Sequence, residues 1–557
     1  MLCMQSITGP VGRGLDRRGF LRLAAVSGLA VGAPGLLTGC APQVASSTVL
    51  RIGSTTDIDS LNPFTAFSTQ AVDVLSLVYD KLMDYDASFA LVPSLAESEE
   101  RGTDGKTFTY TLRQGVTWHD GQPFTSADVV FTLTMLRDHA YGTYGAYFSD
   151  LKSVTALDEH RVKLVYSVPQ ALEPGVVAPI APKHIWSKLT AAQLLKFANA
   201  EAIGTGPFKS PVWKKGASAE VTRNDAWWGT KPAAASVNWA VFGNDDVASQ
   251  ALRTGSIDLI AEIPPVIFGQ LNGAEKVSLA EAESFSFHMI GFNCSTKAGS
   301  KGNRALLNPS VRQALALATS RQQLVELALS GHGEPGVGLL PPAFGDYHWT
   351  PSGDQVLDND PARAKALLDA AGYKDRDGDG VREGPDGHKL VLRLLAIADT
   401  TVDVKAAQLF VTAAKAVGIT LTFSTTDADT LGSTVYNTDA PDWDIMIWGW
   451  DSGLHDPSYL LGIPTTAQIG GDNDTFWSNA AYDRLYKQQA QTIDVPARVE
   501  LVKQMQQMHY ESCPYIVMWY QKKLSGWRTD TWTGWQDVAG GPILNFTRIN
   551  YLTVRAV

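Results

Sequence analysis

Thr107-Phe108-Thr109-Tyr110-Thr111-Leu112-Arg113 runs through Gln114 into Gly115-Val116-Thr117-Trp118-His119-Asp120-Gly121, and Gln122-Pro123-Phe124 leads on to Thr125-Ser126-Ala127-Asp128-Val129-Val130. Residues 108–112 alternate as a half-buried strand does, residues 115–118 continue it, and Asp120-Gly121 makes the turn. Thr125 is a good helix N-cap and Asp128 stands at the third helical position, close to a capping box, with Val129, Val130, Leu133 and Leu136 as the apolar face. Strand, turn and capped helix follow one another closely, which is mixed α and β architecture.

The same grammar extends both ways. Upstream, 49–52 reads as a strand, 57–63 as turn chemistry, and 72–83 as a helix from the spacing of Val74, Leu75, Val78 and Leu82. Downstream, 154–157 and 161–166 form a hairpin across Asp158-Glu159. Strands are expected at 237–242, 257–260, 285–293, 390–396, 419–423, 443–449 and 515–520. Helices are expected at 245–254, closed by Gly255, from Asn308-Pro309 onward, and at 361–371, 408–417 and 498–509. No internal repeat interrupts this α/β pattern.

Residues 16–40, DRRGFLRLAAVSGLAVGAPGLLTGC, have the layout of an export signal. Adjacent Arg17 and Arg18 precede an apolar run that is too short, and too rich in Gly and Ala, to span a bilayer. The run ends in Leu37-Thr38-Gly39-Cys40, which resembles a bacterial lipobox, so residues 1–39 are expected to be a twin-arginine signal peptide and Cys40 the lipidated first residue of the mature chain. Residues 40–47 then form a tether, and the protein is exported and lipid-anchored to the outer face of the cytoplasmic membrane. The 557 residues suffice for two or three domains. The formal charge of −11, with the leader itself net positive, argues against nucleic acid as a partner. Of four cysteines only Cys294 and Cys513 could pair; they form one disulfide or stay as two small buried residues. Fifteen tryptophans are enough to supply ligand-stacking faces as well as core.

Catalytic motifs are missing. Gly331-His332-Gly333-Glu334-Pro335-Gly336 has the letters of a dinucleotide fingerprint, but it follows a helix and carries a proline where the next helix should begin. There is no H-E-x-x-H pair, nucleophile elbow or Cys/His cluster, although carboxylates paired only in space would leave no trace in sequence. Asp375-Arg376-Asp377-Gly378-Asp379-Gly380 fits the D-x-D-x-D-G calcium pattern, whose twelfth position falls on Asp386. Asp375, Asp377, Asp379 and Asp386 are therefore candidate calcium ligands, the alternative being a solvated acidic turn. No cofactor is required.

In order along the chain, the sequence resembles the family 5 extracellular solute-binding proteins of ABC importers. The resemblance is carried by Ser60-Leu61-Asn62-Pro63, Pro93-Ser94-Leu95-Ala96-Glu97-Ser98, the strand and turn quoted above, Ser126-Ala127-Asp128-Val129-Val130, Gly204-Thr205-Gly206-Pro207-Phe208, Val311-Arg312-Gln313-Ala314-Leu315 with Arg321, and residues 444–457. That group includes oligopeptide-, dipeptide- and nickel-binding proteins. The resemblance implies a two-lobed α/β clamp of the periplasmic-binding-protein kind, type II, with an extra N-terminal subdomain. It divides the chain into lobe I (48–84, 201–290 and 518–557), the subdomain (85–200) and lobe II (291–517).

The clamp closes on an extended solute, expected to be a peptide, and a monomer delivers it to the membrane subunits of an ABC permease. The implied contacts are Phe67, Ser68 and Thr69 on one side and Trp448, Trp450, Asp451, Ser452 and Gly453 on the other. Gly453 stands where oligopeptide binders carry an aspartate for the ligand's α-amine, and Asp451 faces away from Trp450 on a strand. Trp450 is therefore expected to matter more than Asp451, as a stacking platform. An oligosaccharide is the alternative solute. An alternative of another class is a secreted hydrolase with an unrecognised carboxylate pair; the resemblance implies no enzyme.

Overall fold

In the computed structural model the described residues are 48–139, 142–452, 455–536, 538 and 548–557. The signal peptide, Cys40, the tether and Gly453 lie outside them.

Strand Val49–Ser54 buries Leu50 and Ile52 and leaves Arg51 to reach Asp258. The Asp258 carboxylate accepts from the Arg51 backbone at 2.8 Å and from its guanidinium at 2.7 and 3.0 Å. That pair ties the strand to its parallel neighbour Leu259–Ile260, while Ser236–Val241 pairs in parallel on the other side. The resulting seven-stranded sheet runs Val277–Ala282, Lys523–Arg528, Leu259–Ile260, Val49–Ser54, Ser236–Val241, Ser218–Arg223, Phe208–Lys214. Three distant parts of the chain thus build one sheet. Helix Asp245–Thr254 packs on it and stops where Gly255 turns left-handed at φ 77°.

A second sheet of six strands runs Gly333–Pro335, Tyr515–Gln521, Ser286–Phe292, Ile445–Asp451, Val391–Ile397, Thr420–Thr426. Helices Pro309–Ala318, Thr401–Ala416 and Val495–Ser512 cover it, and its apolar cluster runs from Phe285 to Val538. Cys294 and Cys513 are both buried there as free thiols.

The chain passes between these sheets twice, at 283–285 and at Lys522, where the Ser284 hydroxyl donates to the Gln521 carbonyl. The expected division placed the passages at 290/291 and 517/518. Ser286–Phe292 and Tyr515–Gln521 instead pair with the second sheet over their whole lengths. A run of apolar residues suits either sheet, and only pairing assigns it.

The quoted segment forms the third sheet. Strand Thr107–Leu112 buries Phe108, Tyr110 and Leu112 and lies between Ala96–Arg101 and Arg161–Tyr166, with Leu151–Asp158 at the edge. Helix Ser126–His139 follows. Asp128 accepts from the Thr125 backbone N–H at 2.9 Å, as a capping box requires, and its other oxygen accepts from Lys183 N at 2.9 Å, so the cap also holds the next segment. The helix expected over 72–83 instead spans Thr69–Val78. Ser68 caps it, Tyr79 leaves it in extended conformation, and Met83–Tyr85 is a short strand paired with Leu91–Pro93.

Candidate functional site

The loop before helix Thr69–Val78 is held by short polar side chains. Asn62, buried, donates to the carbonyls of Leu194 and Phe197 and accepts from Phe64 N, so the Ser60-Leu61-Asn62-Pro63 motif pins the loop to the neighbouring segment. Asp59 accepts from Phe67 N at 3.1 Å, Ser68 N at 3.0 Å and Ser68 Oγ at 2.6 Å, and Ser68 Oγ in turn accepts from Ala71 N at 3.2 Å. Ser68 therefore works as the helix cap. The same bonds fix the backbone of Phe67, whose side chain is 83% exposed. A large aromatic so exposed on so rigid a loop is a contact offered to something else.

Beside it lies a cavity of about 300 Å³ lined from both sides of the crossing. The first lobe contributes Phe67, Thr69 and Lys81, the segment after helix Ser126–His139 contributes Tyr144 and Tyr147, and the second lobe contributes Asp451, Ser452 and Tyr459. Four of the eight sequence-predicted contacts, Phe67, Thr69, Asp451 and Ser452, thus meet around one space. Lys81 and the tyrosines went unread. A lysine inside Tyr79-Asp80-Lys81-Leu82-Met83-Asp84 was the available signal, since it interrupts a buried run.

The tryptophans stand elsewhere. Trp448 and Trp450, two apart on strand Ile445–Asp451, share a face, and both indole N–H groups donate to Asp474 Oδ2, at 2.8 and 2.9 Å. The Tyr515 hydroxyl donates to the other oxygen of that carboxylate. Burial pushes Asp474 up to about 6, although all three donors pull it down. Trp450 lies edge-on to Trp448, with centroids 6.3 Å apart, and neither lines the cavity. The expectation of a Trp450 platform is corrected accordingly: strand alternation sends the indoles to a buried carboxylate and turns Asp451 to the cleft.

Asp451 shares its side of the cleft with Lys523, 3.9 Å away, which also meets Glu262 at 3.2 Å. Burial pushes the Asp451 carboxyl up and Lys523 draws it back down. Asp73, deeper and nearly covered, has one oxygen without a hydrogen-bond partner. Burial pushes it up to about 7, with Lys523 opposing and Glu262 assisting. Asp456 is fully engaged by Arg498 at 2.8 and 2.9 Å and by Ser458 N at 2.9 Å, which leaves it no capacity for a ligand amine.

In the acidic loop, carboxylate oxygens of Asp375, Asp377, Asp379 and Glu383 lie within 4.8 Å of one another. The fourth carboxylate is Glu383, at position nine of the calcium pattern, and not Asp386. The chain doubles back, with Glu383 bridging Lys374 and Lys389, so Asp386 falls in the return turn and accepts from His388 N. Asp375 accepts from Gly378 N and Gly380 N, and Lys389 pairs with Asp377 at 2.8 Å and also with Asp379. Glu383 is buried, and its Oε1 has no hydrogen-bond partner.

The family described as bacterial extracellular solute-binding proteins, family 5 middle, matches residues 90–472. The chain is 27% identical over 481 residues to the oligopeptide-binding protein AppA of Bacillus subtilis, covering 85% of this chain and 86% of that protein. It is 28% identical over 516 residues to a dipeptide-binding protein of Pseudomonas aeruginosa, covering 86% and 91%. Among solved structures, the periplasmic oligopeptide-binding protein of a Thermotoga maritima oligopeptide ABC transporter superposes with a TM-score of 0.81 at 23% identity, over 92% of this chain and 99% of that one. The same protein with mannohexaose bound gives 0.78 at 22%, over the same shares. The fold is the mixed α/β periplasmic-binding-protein fold.

Proposed function

Because the chain belongs to family 5 of the bacterial extracellular solute-binding proteins, we propose that it captures a peptide between its two lobes and hands it to an ABC permease. The reading rests on the cavity beside the crossing, where a rigid loop of the first lobe and the end of strand Ile445–Asp451 in the second face one solute. Closing such a clamp removes the ligand from water and strengthens every polar contact within. The peptide-binding relatives support peptide as the solute. Capture and release call for no catalytic group, so the protein acts as a binder and not as an enzyme.

Native mass spectrometry of the purified protein, followed by calorimetry with defined peptides and with mannose oligomers, tests this. A retained peptide and saturable peptide binding are expected. Binding of the oligosaccharide alone would overturn it. The sugar reading has one observation in its favour, the row of Tyr144, Tyr147 and Tyr459 along the cavity, since flat phenol rings suit sugar faces.

At the membrane, the Arg17-Arg18 leader directs twin-arginine export, and diacylated Cys40 holds the monomeric clamp at the outer face of the cytoplasmic membrane, within reach of its permease. Cys40→Ala should release the protein or leave it unprocessed; a processed, membrane-bound Cys40→Ala protein overturns the anchor. Replacing both arginines with lysine should block export.

The Asp375–Glu383 loop is read as a calcium site, supported by the D-x-D-x-D-G spacing and by the buried, unanswered Glu383 oxygen. Calcium at millimolar concentration should raise the melting temperature of the wild type and leave an Asp377→Asn, Asp379→Asn variant unmoved. Equal behaviour of the two leaves a solvated turn.

A further inference from the structure

The cations around the cleft differ in how completely the protein answers them. Lys523 meets Glu262 at 3.2 Å and Asp451 at 3.9 Å. Arg548 packs against Asp80 at 2.5 Å and lies 3.7 Å from Asp84. Arg498 is met by both oxygens of Asp456. Lys81 lines the cavity, yet among the described residues it makes no ion pair. The nearest acids explain why. Asp80 also accepts from the Thr205 hydroxyl at 2.8 Å and from the Trp228 indole at 3.1 Å, and Arg548 holds Asp80 and Asp84 together, so both carboxylates are spent before Lys81 can use them.

The lysine is also well placed. Leu95 N donates to the Lys81 carbonyl at 3.1 Å and Ala96 N to the Leu82 carbonyl at 2.9 Å, which fixes the backbone from which the side chain leaves. Burial lowers the pKa of the ammonium and Arg548 lowers it further, with Asp84 opposing, so the charge is held at a cost that a bound anion would relieve. Asp451 reaches the same cavity from the second lobe. One wall therefore offers a positive charge and the other a negative one.

Resting on the peptide reading above, we propose that Lys81 binds a carboxylate of the captured peptide and so makes the cleft selective for anionic or zwitterionic ligands over neutral ones. The peptide then lies with this carboxylate toward the first lobe and its amine toward Asp451. A neutral oligosaccharide would leave the lysine unanswered in the closed cleft and is selected against.

The test uses the full mature chain and three peptide pools of matched length: free acids lacking Asp and Glu, the same peptides as C-terminal amides, and amides carrying one glutamate. Wild type should bind the free acids roughly ten- to a hundredfold more tightly than the plain amides, the range of one charge-assisted hydrogen bond. Recovery of affinity in the glutamate pool would identify a side-chain carboxylate as the partner; its absence would identify the C-terminus. Lys81→Met, which keeps the aliphatic stem, should erase the preference without weakening amide binding, and Lys81→Arg should retain it. Equal binding of all three pools by wild type, or a preference that survives in Lys81→Met, overturns the role of Lys81 while leaving peptide binding intact. No binding of any pool overturns the peptide reading and this proposal together.

Discussion

Arg498 and Lys81 are both basic side chains withdrawn from bulk water, and their surroundings differ in every respect. Arg498 is met by Asp456 at 2.8 and 2.9 Å, by Gln489 at 3.0 Å and by the ring of Tyr347 at 5.5 Å. Lys81 looks into the cavity, with its two nearest carboxylates already held by Arg548. A charge that serves the fold is answered by the fold itself, because an unpaired buried ion costs several kcal/mol. A charge that serves a ligand is left open at the edge of a cavity, where water covers it until the ligand arrives. The pairing pattern thus separates scaffold from site.

The sharpest way to break the comparison is to remove the scaffold member. Arg498→Met strands Asp456 with only Ser458 as a neighbouring donor, and a loss of about 3–5 kcal/mol in urea unfolding is expected. A loss below about 1 kcal/mol would mean that the pair is as dispensable as a surface one.

Asp73 comes next. Its carboxyl is raised to about 7 by burial, so between the ordinary carboxylate range and pH 7 the native state keeps a proton that the unfolded chain releases. Its contribution to stability is therefore greatest below pH 4 and declines as pH rises to 7. Asp73→Asn should remove that decline, and comparing denaturation curves at pH 4 and pH 7.5 should give a difference between wild type and variant on the order of 1–3 kcal/mol. Parallel curves would show that Asp73 is ionised throughout.

Asp451 and Trp450, adjacent on one strand, sharpen the contrast at the next level. Asp451→Asn should weaken binding of a peptide with a free amine roughly tenfold, the value of a charge-assisted bond in calorimetry. Trp450→Ala should lower the melting temperature, since Asp474 loses a donor, and change affinity far less. The reverse order would restore the stacking platform.

Lys81→Met is expected to show the smallest effect on stability, within about 1 kcal/mol of wild type by urea unfolding, because it removes an unanswered charge and no hydrogen bond. A large destabilisation would place Lys81 with Arg498 among the scaffold residues.

Much of the fold could be read before any coordinates. The alternation at Phe108, Tyr110 and Leu112, the Thr125–Asp128 cap and the stop at Gly255 all act over a few residues, so a short window of sequence holds the whole cause. The site was half legible. Phe67, Thr69, Asp451 and Ser452 were named and meet at the cavity. Trp448 and Trp450 were named and belong to a buried network whose acceptor, Asp474, lies more than twenty residues further on. Strand alternation correctly separates Asp451 from Trp450, yet it cannot say which of the two faces looks at the ligand. The crossings were displaced for the same reason: Ser286–Phe292 and Tyr515–Gln521 are apolar enough for either sheet.

By itself the sequence determined the class of element at each position, the caps and turns that bound them, and the membership of a solute-binding family, because these depend on side-chain periodicity and on residues near one another in the chain. Only the tertiary structure decided that Glu383 replaces Asp386 in the acidic loop, that Asp456 is closed by Arg498, and that Lys81 stands unpaired opposite Asp451. Each of those outcomes is a matter of which charge reaches which partner. Coulomb attraction and desolvation depend on distance through space, and strands from remote parts of the chain set that distance.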